Sequence, residues 1–405
     1  MEFYDFESRL ERPVKVKIPD FQSGERLNHI VFADQFTTST IDRLGRTANR
    51  IRLLAKSKEG YRFLSELLRH KRAMLYFTQP STRTFLSFMA ACQILGLSCT
   101  EVRDPSTSSE TKGESPYDSM RMFSSYFDVV IMRSKVPQFA ECCAYMMNDL
   151  RQASRRYVPI INGGSGADEH PTQALLDMYT IHRAFSFYHE RNSSQWTWFD
   201  ELREQHPVLR KGVDGKVFGF CGDIRRGRTI RSLAHLLSQY EDVSMYFVSP
   251  QHPKLAMSSE FRKLLLDRGV NVREVASFEE VIDNVPMIEL LDCLYMTRFQ
   301  REHNRPEDEA EFRAIDFDKF RLTPRLVAKM KSYAAILHPF PRDSAFGEIP
   351  TTIDADPRAH YFRQARNGMW ARAALLAYLF DVDATITDYY EQYTRQTSDY
   401  NVGAL

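Results

Sequence analysis

Short, almost continuous apolar runs alternate along the chain with longer stretches in which apolar residues recur every three or four positions. MLYF (Met74 to Phe77) predicts a buried strand, and STRTFLSFMAACQILG after it puts Phe85, Phe88, Met89, Cys92 and Leu95 at helical spacing. The pattern continues through SCTEV, DVVIMRS (Asp128 to Ser134) and VPIINGG (Val158 to Gly164), each a predicted parallel strand, and then HPTQALLDMYTIHRAF, a long helix. A second series opens at KVFGFCGD (Lys216 to Asp223). It runs through helix TIRSLAHLLSQY, strand VSMYFVSP, helix SSEFRKLLLDRG, strands NVREV and ELLDCLYMTR, helix TPRLVAKMKS and strand AAILHPF. Strands apolar on both faces and separated by crossover helices need a layer of helices on each side of the sheet. The expected fold class is therefore α/β, with two doubly wound parallel-sheet lobes joined by interdomain helices. The first lobe is expected over 1–182, completed by a C-terminal helix at about 364–405, and the second over 183–363. Inside the second, 192–215 is a polar insert carrying Trp196 and Trp198. It belongs to neither repeat and reads as an extra packed helix or a docking surface.

Composition narrows the class. A length of 405 residues suits two domains, and 43% apolar with 26% charged residues excludes a disordered or fibrous chain. With 54 Lys and Arg against 53 Asp and Glu the net charge is +1, so no chain-wide positive field holds a polyanion, and nucleic acid is not an expected partner. Cys92, Cys99, Cys142, Cys143, Cys221 and Cys293 form no Cys-x-x-Cys pair, which predicts reduced thiols rather than a disulfide frame or a zinc site. The N-terminus lacks the apolar core of a signal peptide, and no apolar stretch approaches the ~20 residues of a membrane helix. A cytoplasmic location without membrane attachment is expected.

In doubly wound sheets, ligands gather at the loops leaving the carboxyl ends of strands. At the first exit, Ser81, Thr82, Arg83 and Thr84 open a helix, bringing hydroxyls, helix N–H groups and a guanidinium to its positive end. An oxyanion fits there, and so does an ordinary N-cap beside a solvated arginine. At the second, Arg133 ends an apolar strand, as a bidentate anion ligand or as half of a surface ion pair. At the third, His170 and Gln173 sit one turn apart around Pro171, suited to polarising a carbonyl and orienting a polar group, or to capping the helix.

The order of the motifs is more specific than any member. PSTRT, SSETKGES (Ser108 to Ser115), VVIMRS, HPTQ, GDIRRGRTIRSL, YMTRFQRE and HPFPR, in that order between about Leu75 and Phe380, resemble the carbamoyltransferases in their aspartate branch. The resemblance implies transfer of the carbamoyl group of carbamoyl phosphate to the amino group of L-aspartate, an early step in pyrimidine synthesis. No metal, cofactor or covalent intermediate is implied. Ser81, Thr82, Arg83, Thr84, Arg133, His170 and Gln173 would bind carbamoyl phosphate, with its carbonyl oxygen between Thr84, Arg133 and His170. Ser108 and Lys112 would reach into the neighbouring subunit's site in a homotrimer. Arg228, Thr229, Arg298, Gln300 and Lys112 would bind aspartate, and the backbone carbonyls of Pro339 and Phe340 would accept from its amino group and from the carbamoyl nitrogen. Arg83, Thr84, Lys112, Arg133 and His170 would form the catalytic set.

The chain departs from the family pattern at Phe340, where leucine is usual, and at Thr111, where many members have a second lysine. A nicotinamide loop at GFCGDIRRGR is excluded because Gly219, Gly222 and Gly227 lack the fingerprint spacing and Arg225 and Arg226 fill the turn. Two other functions stay open: a different acceptor such as ornithine or an acylated ornithine, and a non-catalytic assembly partner. Regulatory or dihydroorotase partner chains are left open as well.

Overall fold

Strands β1 (Arg72–Phe77), β2 (Ser98–Val102), β3 (Val129–Arg133) and β4 (Ile160–Asn162) form an all-parallel sheet in the order β2-β1-β3-β4. Every residue of β3 and β4 is buried, as a strand covered on both faces requires. The computed structural model describes residues 6–104, 113–165, 169–186, 188, 198–207, 209–299, 311–312, 314–343 and 347–396. Two units result, one of Met1–Leu176 with Arg366–Leu405 and the other of Asp177–Ala365.

In the first unit, Phe77 is paired opposite Arg133 and Met132 opposite Asn162, so the chemistry-bearing strand ends are level. Helix α1 (Thr38–Leu54), helix α2 (Lys58–Glu66), helix α3 (Thr82–Leu95), helix α4 (Pro116–Tyr126) and helix α5 (Phe139–Ser154) belong to this unit. Helix α3 stops at Gly96, whose φ of +85° and approach to Ser65 O leave no room for a side chain. Helix α5 buries Cys142, Cys143, Met146 and Met147 in one cluster with Val130, Met132 and Ile160 of the sheet. Phe6, Leu10 and Phe21 of the N-terminal segment join that cluster, and Lys17 meets Glu141 of α5 in a buried ion pair of 2.7 Å. The outer edge of β4 is occupied: Ile30 N–H donates to Ile160 O at 2.8 Å, and Asn162 N–H donates to Ile30 O at 2.7 Å.

The second unit holds β5 (Val217–Cys221), β6 (Ser244–Val248), β7 (Asn271–Val275), β8 (Cys293–Met296) and β9 (Ala335–Leu337), all parallel, in the order β9-β8-β5-β6-β7. Cys221 is level with both Met296 and Val248. The outer edge of β9 is filled as that of β4 is, by Arg358 O and His360 N–H bonding to Ile336. The predicted helices stand at α6 (Pro171–Ala184), α7 (Arg228–Leu237), α8 (Ser259–Asp267), α9 (Pro324–Lys329) and α10 (Tyr361–Leu379). Residues from Arg366 onward, most of α10 and all of α11 (Asp383–Gln396), fall in the first unit. The insert contains a helix at Trp198–Gln205, and Trp196 lies outside the described residues.

Each strand order reverses once. In the first sheet the chain leaves β1 for β2 and then crosses to β3. In the second it leaves β5 for β6 and β7 and then crosses to β8. The points between β1 and β3, and between β5 and β8, are therefore the topological switch points, where open α/β sheets bind ligands.

Candidate functional site

The first switch point collects the expected anion ligands of its unit. Ser81 takes the N-cap position of α3, yet its hydroxyl makes no capping hydrogen bond, so the capping alternative does not hold for it. Thr84, one turn into α3, is 6% exposed, and its Oγ1 lies 3.5 Å from Nε2 of His170. Arg133, at the end of β3, donates from Nη1 to Gly163 O at 3.2 Å and is 9% exposed, so its side chain is not a surface one. Thr82 and Arg83 are exposed on the same first turn. Gln173 is 8% exposed and stacks one turn above His170 at the start of α6.

Gly164 explains how Arg133 and His170 come together. Its φ is +95°, and a Cβ placed there would lie 2.6 Å from Cδ2 of His170 and 2.8 Å from Nη1 of Arg133. The space a side chain would take is shared by an imidazole and a guanidinium. Asn162, 2% exposed at the end of β4, fixes this loop. Its Oδ1 accepts from Gly164 N–H and Ser165 N–H at 2.8 and 2.9 Å, and its Nδ2 donates to Val31 O and Glu169 O. Sequence reasoning passed over Asn162, although an amide ending an otherwise apolar strand run was a visible signal.

At the second switch point, Arg228 and Thr229 begin α7 and Arg298 follows β8, all half-buried. Gly222 makes the turn after β5 possible: its φ is +131°, and an added Cβ would be 2.6 Å from Thr297 O. Asp223, fully buried, accepts from Arg226 N–H at 3.0 Å and from Nε of the same residue at 2.6 Å, so Arg226 is committed to shaping the loop.

Behind these residues runs a buried chain of hydrogen bonds. The Thr229 hydroxyl donates to the Tyr295 oxygen. Tyr295 donates to Asp177 Oδ2 at 2.8 Å, Gln364 Nε2 donates to Asp177 Oδ1 at 2.7 Å, and His338 N–H donates to Gln364 Oε1 at 2.8 Å. Burial pushes the Tyr295 phenol far up, with the Asp177 carboxylate adding to it, so Tyr295 keeps its proton and remains a donor.

The HPFPR turn follows β9. Phe340 has a φ of +58°, a left-handed conformation that costs a non-glycine residue roughly 1–2 kcal/mol. His338 Nδ1 accepts from Phe340 N–H at 2.8 Å, which leaves the ring proton on Nε2, 2.9 Å from Glu348 Oε1. Phe340 packs tilted on Phe362 at 5.5 Å between centroids. Arg342 is engaged elsewhere, with Asp354 at 2.6 and 3.1 Å. Ser108, Thr111, Lys112 and Gln300 lie outside the described residues.

Each unit also has a counterpart among known proteins. The sequence model of the aspartate/ornithine carbamoyltransferase carbamoyl-P binding domain matches residues 28–183, and that of the Asp/Orn binding domain matches 214–379. The aspartate carbamoyltransferase catalytic subunit of Chromobacterium violaceum is 36% identical over 349 residues, covering 86% of this chain and 96% of that one. The multifunctional protein CAD of Squalus acanthias is also 36% identical over 349 residues, but this chain spans only 13% of its length. Aspartate transcarbamoylase from Trypanosoma cruzi, in complex with carbamoyl phosphate and aspartate, superposes with a TM-score of 0.70 at 30% identity, covering 87% of this chain and 97% of that one. Two family models that together match most of the chain, with 36% identity over 86% of it, show that the chain belongs to the aspartate/ornithine carbamoyltransferase family.

Proposed function

We propose that the chain transfers the carbamoyl group of carbamoyl phosphate to the α-amino group of L-aspartate, with the residues acting as follows. The first unit takes carbamoyl phosphate. Its phosphate lies on the N-terminus of α3 against Ser81, Thr82, Arg83 and Thr84, where N–H groups and the helix dipole favour an anion. Its carbonyl oxygen lies among Thr84, Arg133 and His170, and Gln173 holds the carbamoyl NH₂. The observation that carries this reading is Gly164: its missing side chain makes the space in which Arg133 and His170 meet.

The second unit takes aspartate. Arg228 and Arg298 pair with its two carboxylates, Thr229 and Gln300 orient it, and the carbonyls of Pro339 and Phe340 accept from its amino group. The nitrogen lone pair attacks the carbamoyl carbon, and the C=O electrons move onto the oxygen held by Thr84, Arg133 and His170. As the tetrahedral intermediate collapses, the C–O bond to phosphate breaks and the departing phosphate accepts the amine proton. Alignment of two bound reactants is worth up to ~7–11 kcal/mol, and fixed oxyanion donors act on top of it. The protein completes each site as a homotrimer in the cytoplasm, with Ser108 and Lys112 supplied by a neighbouring subunit. The carbamoyl-phosphate part comprises 1–182 and 364–405, and the aspartate part 183–363.

Arginines where a cationic amine would need carboxylates weigh against ornithine as acceptor. The test is product formation by the purified chain with carbamoyl phosphate and a panel of amines, alongside its mass by light scattering. Carbamoyl-aspartate as the dominant product and a trimeric mass are expected; preference for ornithine, or no turnover with any amine, overturns the assignment.

A further inference from the structure

His338 and Glu348 do more than fill the interior of the second unit. They are 1% and 0% exposed, beside a cluster containing Leu322, Ile336 and Ile349, where burying a polar pair is costly unless its hydrogen bonds are made. Their hydrogen bonds end on one short stretch of backbone. His338 Nδ1 accepts from Phe340 N–H at 2.8 Å, while Glu348 Oε1 and Oε2 accept from Asp343 N–H at 3.1 and 3.0 Å. The two side chains are tied to each other at 2.9 Å. The bases of the grip are held in turn: Gln364 accepts from His338 N–H at 2.8 Å, and Glu348 O accepts from Leu322 N–H at 2.9 Å. The gripped stretch includes Phe340, the left-handed residue in this turn.

We infer that the His338–Glu348 pair is the positioning device of the amine half of the reaction: it holds the Phe340 backbone left-handed so that the Pro339 and Phe340 carbonyls point where the attacking nitrogen must sit. Two fixed acceptors take two N–H groups of the amine and leave its lone pair aimed at the carbamoyl carbon. The inference rests on the proposed role of this turn. His338 and Glu348 touch no substrate and act through the backbone they hold. A neutral imidazole suits the task because Nδ1 must stay an acceptor, and Glu348 enforces that by accepting a hydrogen bond from Nε2–H.

Steady-state kinetics of the full chain test it, with each substrate varied in turn. His338→Ala is expected to lower kcat/KM for aspartate by about a hundredfold, the cost of misplacing a reacting group by about 1 Å, while KM for carbamoyl phosphate stays within about twofold. His338→Asn keeps an oxygen able to accept from Phe340 N–H and is expected to recover most of the loss. Phe340→Gly added to His338→Ala should recover part of it, because glycine adopts the left-handed turn without help. If His338→Asn is as poor as His338→Ala and the added glycine recovers nothing, the pair is structural only and the inference fails. Pro339→Gly tests the underlying reading separately. If it leaves aspartate kinetics unchanged, the turn does not bind the amine. If it impairs them while His338→Ala does not, only the positioning role is lost.

Discussion

The two switch points solve the problem of binding anions in opposite ways. In the first unit the residues proposed to face the carbamoyl group are sunk into the protein while Thr82 and Arg83 stay exposed: Thr84, Arg133, His170 and Gln173 are all less than 10% exposed, and Asn162 and Gly164 hold their loop from behind. In the second, Arg228, Thr229 and Arg298 stay half-buried, and rigidity resides one layer deeper, in the chain from Thr229 through Tyr295, Asp177 and Gln364 to His338. A buried guanidinium is strongly directional but costly unless its partner arrives, whereas a half-hydrated one tolerates an empty site. On the proposed assignment the first unit takes carbamoyl phosphate, which is small and must present one carbon at one angle, as suits the buried arrangement, and the second unit takes aspartate. Aspartate carries charge at both ends and needs to be gripped more than activated, which suits cations left within reach of water.

That contrast can be broken experimentally. The largest effect is expected from His170→Ala, which removes an oxyanion donor in the buried site: kcat should fall by about 10²–10³, roughly 2.7–4 kcal/mol, with little change in aspartate KM. A purely KM-based effect would mean that the first site merely binds. Arg298→Ala should cost roughly 10- to 150-fold in kcat/KM for aspartate, the equivalent of about 1.5–3 kcal/mol for a charged hydrogen bond, and leave carbamoyl phosphate binding intact by calorimetry. Equal damage to both substrates would erase the division of labour.

The smallest effect concerns stability, where the units should behave alike. Burial lowers His29 to about 4, and burial with Arg363 and Arg183 lowers His360 to about 4, from 6.5 for a free histidine. Well above pH 6.5 neither state of either histidine takes up a proton. Below that, the unfolded chain does and the folded one does not, so stability falls as pH drops towards 4. Between pH 7 and 5 each histidine should contribute up to about 2 kcal/mol of that loss, and less for His360, which keeps some contact with water. Hydrogen exchange read strand by strand, with His29→Gln as the comparison, should show the slope flattened around β4 and retained around β9. His29 Nδ1 accepts from Ile160 N–H at 2.9 Å, so the effect should be centred on that strand.

The central strands were legible because a strand buried on both faces writes itself as an unbroken apolar run; the edge strands β2, with no buried residue, and β7, with two, are not of that kind. Helices α3, α7 and α8 followed from their one-sided spacing. Helices α4 and α5 were not read, and α5 shows why: FAECCAYMM is buried at all nine positions from Phe139 to Met147, so no polar face exists to reveal its period. Helix α1 escaped for the opposite reason, since its buried Ile41, Leu44, Ala48, Ile51 and Leu54 are diluted by arginines and threonines. The motif residues were legible individually, and the described ones fall at the two switch points or, for Phe340, at the neighbouring strand exit. Several of their supports were not, because Asp177 is met by Tyr295 and Gln364 from 118 and 187 positions away and Asn162 reaches Val31 across 131, distances no local pattern encodes.

The hollow left by Gly164 sets a limit on how this chain can diverge. Alanine, the least intrusive replacement, would both resist the backbone angle and collide with an imidazole and a guanidinium at once. Neighbouring surface positions can drift and be compensated one at a time. This one cannot, since no single second change withdraws both obstacles, and a saturation library at codon 164 should return glycine alone among functional clones.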